Sequence, residues 1–408
     1  MLGLVKPRDG KELEQAIQWA LAGGKTFEVV GRGTKRAIGR AAQWDATLDL
    51  SEFSGVTLYE PEELVLSAKA GTPLAEIEAL VAASHQELAF EPMDYGPLLG
   101  GAAGAASIGG VIAANLSGPR RIRAGAARDH FLGLSAVSGR GESFKAGGRV
   151  VKNVTGYDLC KLIAGSWGTL AAMTDITIKT LPKAETEATI LVLGLDDETA
   201  RQAMTAALGS FADVSAAAHL PAPVAARITE LATAQAATTV FRLEGVAPSV
   251  AQRRDILLTV LTPFGSTVAL AAESSQALWR AVRDVTPFAA QGPAGDRDVW
   301  RISTSPTQGA EVGRALAAAL DAELLYDWGG GLIWAAVPAA ADASAPLIRS
   351  TVAGAGGHAT LIRAPAAVRV AVDVFTPEPA ALAALTKRVR AGFDPRGVLN
   401  AGRMWAGV

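Results

Sequence analysis

Cysteine is almost missing from this chain. Cys160 is the single one among 408 residues, which excludes an internal disulfide and a cluster held by four thiolates. Histidine is scarce too, with only His85, His130, His219 and His358. Aromatic residues make up 6% and are scattered, so no platform for stacking nucleic-acid bases is offered. The net charge of −2 gives no field to attract nucleic acid or an anionic membrane. No apolar run reaches the roughly 18 residues that a membrane span needs. The opening MLGLVKPRDGKELEQ has neither a signal-peptide core nor a transit-peptide bias. With 50% apolar and 19% charged residues, a folded cytoplasmic protein is expected rather than a disordered one.

The length suggests two domains. Residues 9–21 carry Leu13, Ile17, Ala20 and Leu21 at helical spacing, entered through Asp9 and stopped by Gly23 and Gly24. Residues 27–30, 47–50 and 64–68 read as strands, and Pro73 begins a helix that runs to Val81. Beyond Pro182 the composition shifts to short strands interleaved with Ala-rich helices. The better strands are 189–193, 239–244, 301–303 and 332–337, and the better helices 197–208 and 309–320. That pattern suits a separate α+β cap. A last helix ends near Arg390. The expected division is therefore 1–182, 183–384 as the cap, and a tail 385–408 that returns to the first part.

Glycine carries the chemistry. Gly31, Arg32, Gly33, Thr34 and Lys35 follow an apolar strand and could offer several amides to a pyrophosphate, or be an ordinary strand-ending turn. The segment is not a Walker loop and lacks the third glycine of a dinucleotide fingerprint. A second loop, from Ser107 through Gly109, Gly110, Ala113 and Asn115 to Gly118, is built almost wholly of small residues. Small side chains let main-chain amides approach a bulky planar ligand. Ile108, Val111 and Ile112 want burial, which argues against a flexible linker. Behind it, Arg120, Arg121, Arg123 and Arg128 form either a phosphate clamp, a patch for an acidic partner or a solvated loop. Downstream, Gly165, Ser166, Gly168 and Thr169 open an alternating strand through Met173 and Ile178. Cys160 sits at a helical spacing that buries it as an inert core residue.

Taken in order, the strand followed by GRGT, then SIGGVIAANLSG, RAGAARDHFLGLSAVSGRGE, KNVTGYDLCKLIAGSWGTLAAMTDITIKTLP and FDPRGVLNAGRM resemble a known family. The chain looks like an FAD-binding domain of the vanillyl-alcohol-oxidase, or PCMH, type. It resembles most the FAD-binding E-type subunits of glycolate oxidases. The resemblance spans about residues 1–182 and 385–408. It implies an α+β fold in which a two-part FAD-binding domain carries a ferredoxin-like α+β cap. It implies that Gly31, Arg32, Gly33, Thr34 and Lys35 wrap the FAD pyrophosphate. Ser107, Gly109, Gly110, Ala113, Asn115 and Gly118 would approach the flavin and its phosphates, and Asp129 would lie near the ribityl chain or loop backbone. Gly165, Gly168, Thr169, Ala172 and Met173 would flank the cofactor, and Asn400 would return to the flavin edge. Two positions depart from the family pattern: Trp167 stands where Glu is common, and Ala171 where Gly is common. Members that attach FAD covalently commonly use a histidine in the first loop. Thr34, Lys35 and Arg36 supply none, so noncovalent FAD is implied.

Catalytic 2-hydroxyacid members of the family carry a histidine-based metal motif in the cap. His358 follows a glycine run but has no second ligand at metal spacing, and a loop role suits it. His130 suits packing beneath the loop. Lys152, Tyr157 and Asp158 are candidate polar groups at the flavin, with capping the alternative for Asp158. No base–metal pair and no catalytic residue is identified. The resemblance then implies a redox subunit of a glycolate-oxidising complex. Electrons from glycolate, which becomes glyoxylate, would pass between this chain, a larger FAD-containing subunit and an iron–sulfur subunit. Any contact with the inner membrane would be peripheral, through that complex. A self-sufficient FAD-dependent hydroxy-acid or sugar oxidoreductase and an FAD-less assembly subunit are the competing readings.

Overall fold

The computed structural model describes residues 3–150 and 156–407. Asp9 caps the first helix, Gly10–Gly23, by accepting from the Glu12 amide, and Gly24 closes it in the left-handed conformation. Its buried stripe of Leu13, Ile17 and Ala20 packs on Phe27 and Leu48. Those two residues lie on Phe27–Val30 and Ala46–Asp49, which with Gly3–Val5 make a three-stranded parallel sheet. A second, antiparallel sheet of five strands runs in the order Val56–Glu60, Val65–Lys69, Ala171–Lys179, Phe131–Ser138 and Ser143–Gly147. The helices Leu74–Ala83 and Ile108–Ala114 share its core. Pro73 sits one position before the helix rather than at its first residue, because its ψ of 132° is extended.

The remaining strands form one antiparallel sheet of eight: Thr267–Leu270, Thr186–Leu193, Thr238–Gly245, Ala216–Leu220, Glu323–Asp327, Leu332–Val337, Asp298–Ser303 and His358–Arg363. Strand alternation gives this sheet two buried faces. Trp300, Ile302, Ile333 and Leu361 pack under the helices Gly309–Leu320 and Ala345–Gly354. Val299, Trp334, Ala336 and Ile362 turn the other way, into the same core as Phe90, Met93 and Tyr95. The helices Asp197–Leu208 and Gly309–Leu320 keep the bounds expected of them.

The last helix, Ala380–Phe393, runs three residues past Arg390 and stops where Pro395 bars helical geometry at Asp394. Asp394 then accepts from the amides of Val398 and Leu399, at 2.9 and 2.8 Å. The turn so formed lays the tail beside Phe27, whose amide donates to Val398 at 2.7 Å and whose carbonyl accepts from Asn400 at 2.9 Å. Among the described residues, no helix is long and apolar enough to cross a membrane.

Candidate functional site

The strand Phe27–Val30 delivers the Gly31–Lys35 loop to the edge of a cleft of about 680 Å³. Gly33 turns the loop with φ of 73°. No acceptor among the described residues engages the amides of Gly31 to Lys35. Ser107 begins the second wall, capping Ile108–Ala114 through its bond to the Gly110 amide. The two loops touch: a Cβ on Gly31 would fall 2.5 Å from Ser107 Oγ. Gly109 lies so close to the preceding strand that a Cβ there would be 2.6 Å from the Ala70 carbonyl. The third wall is the turn Trp167–Gly168, left-handed at both residues (φ 54° and 71°), followed by Ala171 and Met173. The first and third walls are apolar away from the loop, through Val29, Val30, Ala171 and Met173.

Two buried cations stand at this cleft, Lys35 and Arg403. Lys35 is 8% exposed, and its one side-chain hydrogen bond is to Thr34 Oγ1 at 3.3 Å. Burial pulls its ammonium down to about 8, with Arg403 adding to the effect and Asp94 opposing it. Arg403 reaches in from the tail and donates to the Lys35 carbonyl at 2.7 Å. Its guanidinium lies 5.6 Å from the Trp167 ring centre, and its Nε is buried without a partner. Free amides and a weakly bonded buried amine call for an anion, and the apolar walls call for a flat ring. The residues present fit a flat ring system joined to phosphates.

The structure brings Gly31, Arg32, Gly33, Thr34 and Lys35 together with Ser107, Gly109, Gly110 and Ala113 around that cleft, and adds Gly168 and Met173. The other expected residues lie outside its lining. Asn115 ends the helix Ile108–Ala114 with φ of 48° and accepts from the Arg128 amide at 3.0 Å. The carbonyl of Gly118 accepts from Trp328 Nε1 at 3.0 Å. Asp129 accepts from the Ala126 amide at 2.9 Å. Gly165 donates its amide to Ile112, Thr169 bonds the Ser166 carbonyl, and Ala172 is buried against the three-stranded sheet. Asn400 is 1% exposed and ties Val29 to Trp167 behind the cleft. Of the downstream candidates, Tyr157 is 93% exposed, Asp158 caps the helix Leu159–Ile163, and Lys152 lies outside the described residues. Cys160 is buried, and burial pushes its thiol up to about 11. His130 packs against Phe90 and bonds the Ala124 carbonyl at 2.8 Å.

Arg403, Trp167 and Ala70 belong to the cleft and were not singled out as contacts. Their one sequence signal is position: Arg403 closes the FDPRGVLNAGRM segment, and Trp167 stands inside the glycine turn. The arginine cluster resolves into structural ties. Arg120 pairs with Glu87 and Glu244 at 2.5 Å each, and Arg123 with Asp213 at 2.7 Å. Among the described residues, no group of three or more His, Cys, Asp or Glu is arranged to hold a metal ion.

Residues 1–147 match the model of a family described as an FAD binding domain. The chain is 33% identical to glycolate oxidase subunit GlcE of Escherichia coli (strain K12), over 97% of its length and 96% of the relative's. It is 32% identical to a D-2-hydroxyglutarate dehydrogenase of Xanthomonas citri pv. viticola, over 44% of this chain and 36% of that one. Among solved structures, p-cresol methylhydroxylase superposes with a TM-score of 0.74 at 13% identity, over 98% of this chain and 88% of that one. A 4-ethylphenol oxidase from Gulosibacter chungangensis does so with a TM-score of 0.70 at 11% identity, over 99% and 89%. The cleft of free amides, the shared fold and a match along nearly the whole length converge: the chain belongs to the PCMH-type FAD-binding flavoproteins, among the relatives of the glycolate oxidase E subunits.

Proposed function

We propose that this chain is the FAD-binding E-type subunit of a complex that oxidises glycolate to glyoxylate. Its partners would be a larger FAD-containing subunit and an iron–sulfur subunit, any membrane contact being peripheral through that complex. The supporting observation is one cleft in which unengaged amides and buried Lys35 face apolar walls, in a chain that matches a glycolate oxidase subunit end to end. FAD supplies two-electron acceptor chemistry when bound. The amides of Gly31 to Thr34 and the Lys35 ammonium would hold its diphosphate, while Gly109, Gly110 and Ala113 leave room for the ring. Trp167 and Met173 would exclude water from the opposite side. No histidine stands in Gly31–Arg36, so the FAD would be held without a covalent bond. Residues 1–182 with 385–408 would form the cofactor unit and 183–384 its cap.

The ionisable groups lining the cleft are Arg32, Lys35, Arg36 and Arg403. None is a carboxylate or imidazole suited to take a proton from a hydroxyl carbon's alcohol. That favours electron transfer within a complex over turnover by this chain alone. Purification of the chain alone and with its co-expressed partners tests the reading. The expected chain is yellow, releases FAD on denaturation and is not bleached by glycolate until the partners are present. A folded, colourless chain would overturn the cofactor assignment, and bleaching of the isolated chain would overturn the division of labour.

A further inference from the structure

The last helix, Ala380–Phe393, buries Arg390 alone of its 14 residues. A surface helix ordinarily turns its apolar stripe to the core and leaves its charges outside. Here Leu382, Leu385 and Val389, at helical spacing, line a groove of about 850 Å³, with Leu382 48% and Leu385 46% exposed. Leu162, itself exposed, and Trp405 extend the apolar walls. The turn at residues 165–169 separates this groove from the cofactor cleft. Gly165, Ser166 and Thr169 line the groove, and Trp167 and Gly168 line the cleft. Phe375 packs between the two, its ring centre 6.2 Å from that of Trp405 and 5.6 Å from that of Trp167.

Polar groups in the groove lack partners. Arg390 is 7% exposed, and among the described residues nothing accepts a hydrogen bond from its guanidinium, whose Nη2 is closed off from solvent. Asp394, the acid whose charge reaches it, accepts instead from the amides of Val398 and Leu399. Ser166 Oγ is buried and unbonded in the same wall. A guanidinium held this deep without a counter-charge in contact is unfavourable unless an acid reaches it from outside the chain. From Leu382 to Arg390 the stripe covers about 12 Å at 1.5 Å per residue. Its leucines stay open to solvent along that length, which suits a polypeptide segment laid on the helix better than a small molecule enclosed on all sides.

We propose that this groove docks a partner subunit, through a segment that lays apolar side chains along Leu382, Leu385 and Leu162 and pairs one carboxylate with Arg390. The docked segment would sit one turn of chain away from the cofactor cleft. The groove stands on its own geometry, and the occupant's place in a glycolate-oxidising complex rests on the function proposed above.

The full-length chain, co-expressed with its two proposed partners, provides the test. Leu385→Asp and Arg390→Met should each raise the dissociation constant of the complex about tenfold or more, the scale of a lost interface anchor. Arg390→Lys should keep part of the affinity. In the isolated chain, Leu385→Asp should leave flavin content and melting temperature unchanged. Arg390→Met should melt at an equal or higher temperature, since an unpaired buried charge is removed. A photo-crosslinking amino acid placed at Leu382 should label a partner peptide that contains Asp or Glu. Parental affinity in both variants would overturn the docking site alone. So would a crosslink only to a second copy of this chain, no crosslink in an intact complex, or a lipid-like acid found in the groove by native mass spectrometry. A parent chain that forms no complex would overturn the function proposed above and the docking site with it. Leu382→Asp gives an independent loss should Arg390→Met fold poorly.

Discussion

Asn400 and Trp167 stand 233 residues apart in the chain, and Asn400 Nδ2 donates to the Trp167 carbonyl at 2.8 Å. The same amide's Oδ1 accepts from the Val29 amide at 2.9 Å, so one buried side chain joins the first and third walls of the cleft. Asn400→Ala leaves two part-buried backbone groups unpaired, at about 1–2 kcal/mol each. The expected result is a loss of about 2–4 kcal/mol in unfolding free energy, with faster flavin release in the same protein. Chemical denaturation and flavin fluorescence measure the two. A fall in stability with flavin release unchanged would show that the tie serves the fold but not the cleft.

Lys35 makes cofactor affinity depend on pH. Without an anion, burial draws its ammonium from the usual value of about 10.4 down to about 8. A diphosphate beside it favours the charged form, so binding raises that value. Affinity is then constant below about pH 8 and falls as the pH rises above it, because binding must take up a proton. Titrating the apo chain with FAD between pH 6.5 and 9.5 should show this slope. Lys35→Met should bind more weakly at pH 7 and lose the slope. A slope that survives in Lys35→Met would assign the titration elsewhere.

Gly110 tests the second loop. A Cβ there would lie 3.4 Å from Ser107 Oγ and 3.5 Å from Lys35 Nζ, close but not clashing, so the backbone itself tolerates a side chain. Gly110→Trp should fold, since its bulk projects into the cleft, and should purify without flavin. Gly110→Ala should keep most of it. Circular dichroism and the absorbance ratio of flavin to protein decide this, and a folded, fully yellow Gly110→Trp would place the cofactor elsewhere.

The glycine loops were legible in the sequence because each bare position answers a local need that spacing reveals. Gly33 and Gly168 hold positive φ, and Gly109 allows main chains to touch. The helices at Asp197–Leu208 and Gly309–Leu320 were legible for the same reason, their apolar period being local, with Asp196 capping the first. What escaped was made by topology. Arg403 meets Lys35 across 368 positions, and nothing near Arg403 in the chain foretells it. Asn400 was expected at the flavin edge, and the structure shows its side chain tying the strand at Val29 to the turn at Trp167. The arginines from Arg120 to Arg128 read as clamp, patch for an acidic partner or solvated loop alike, because Glu87 and Glu244, which pair with Arg120, and Asp213, which pairs with Arg123, come from three distant segments.

The same network, through Glu91, should make stability fall in acid. Glu91 accepts from both ends of the Arg242 guanidinium at 2.8 Å and lies 3.6 Å from Arg120, with Arg242 only 2% exposed. Burial alone would raise the Glu91 carboxyl, but Arg242 and Arg120 overturn that and hold it down to about 2. The unfolded chain would titrate near 4.3. A depressed folded value means that the stabilisation is complete above about pH 4.3 and drains away as the pH falls toward 2. Glu91→Gln should therefore cost up to about 3–5 kcal/mol at pH 7, since it leaves buried Arg242 with Glu244, 3.4 Å away, as its remaining counter-charge. The gap between variant and parent should narrow steadily below about pH 4. Melting curves from pH 7 to pH 3 measure it, and a gap that stays constant over that range would show that Glu91 acts by shape rather than by charge.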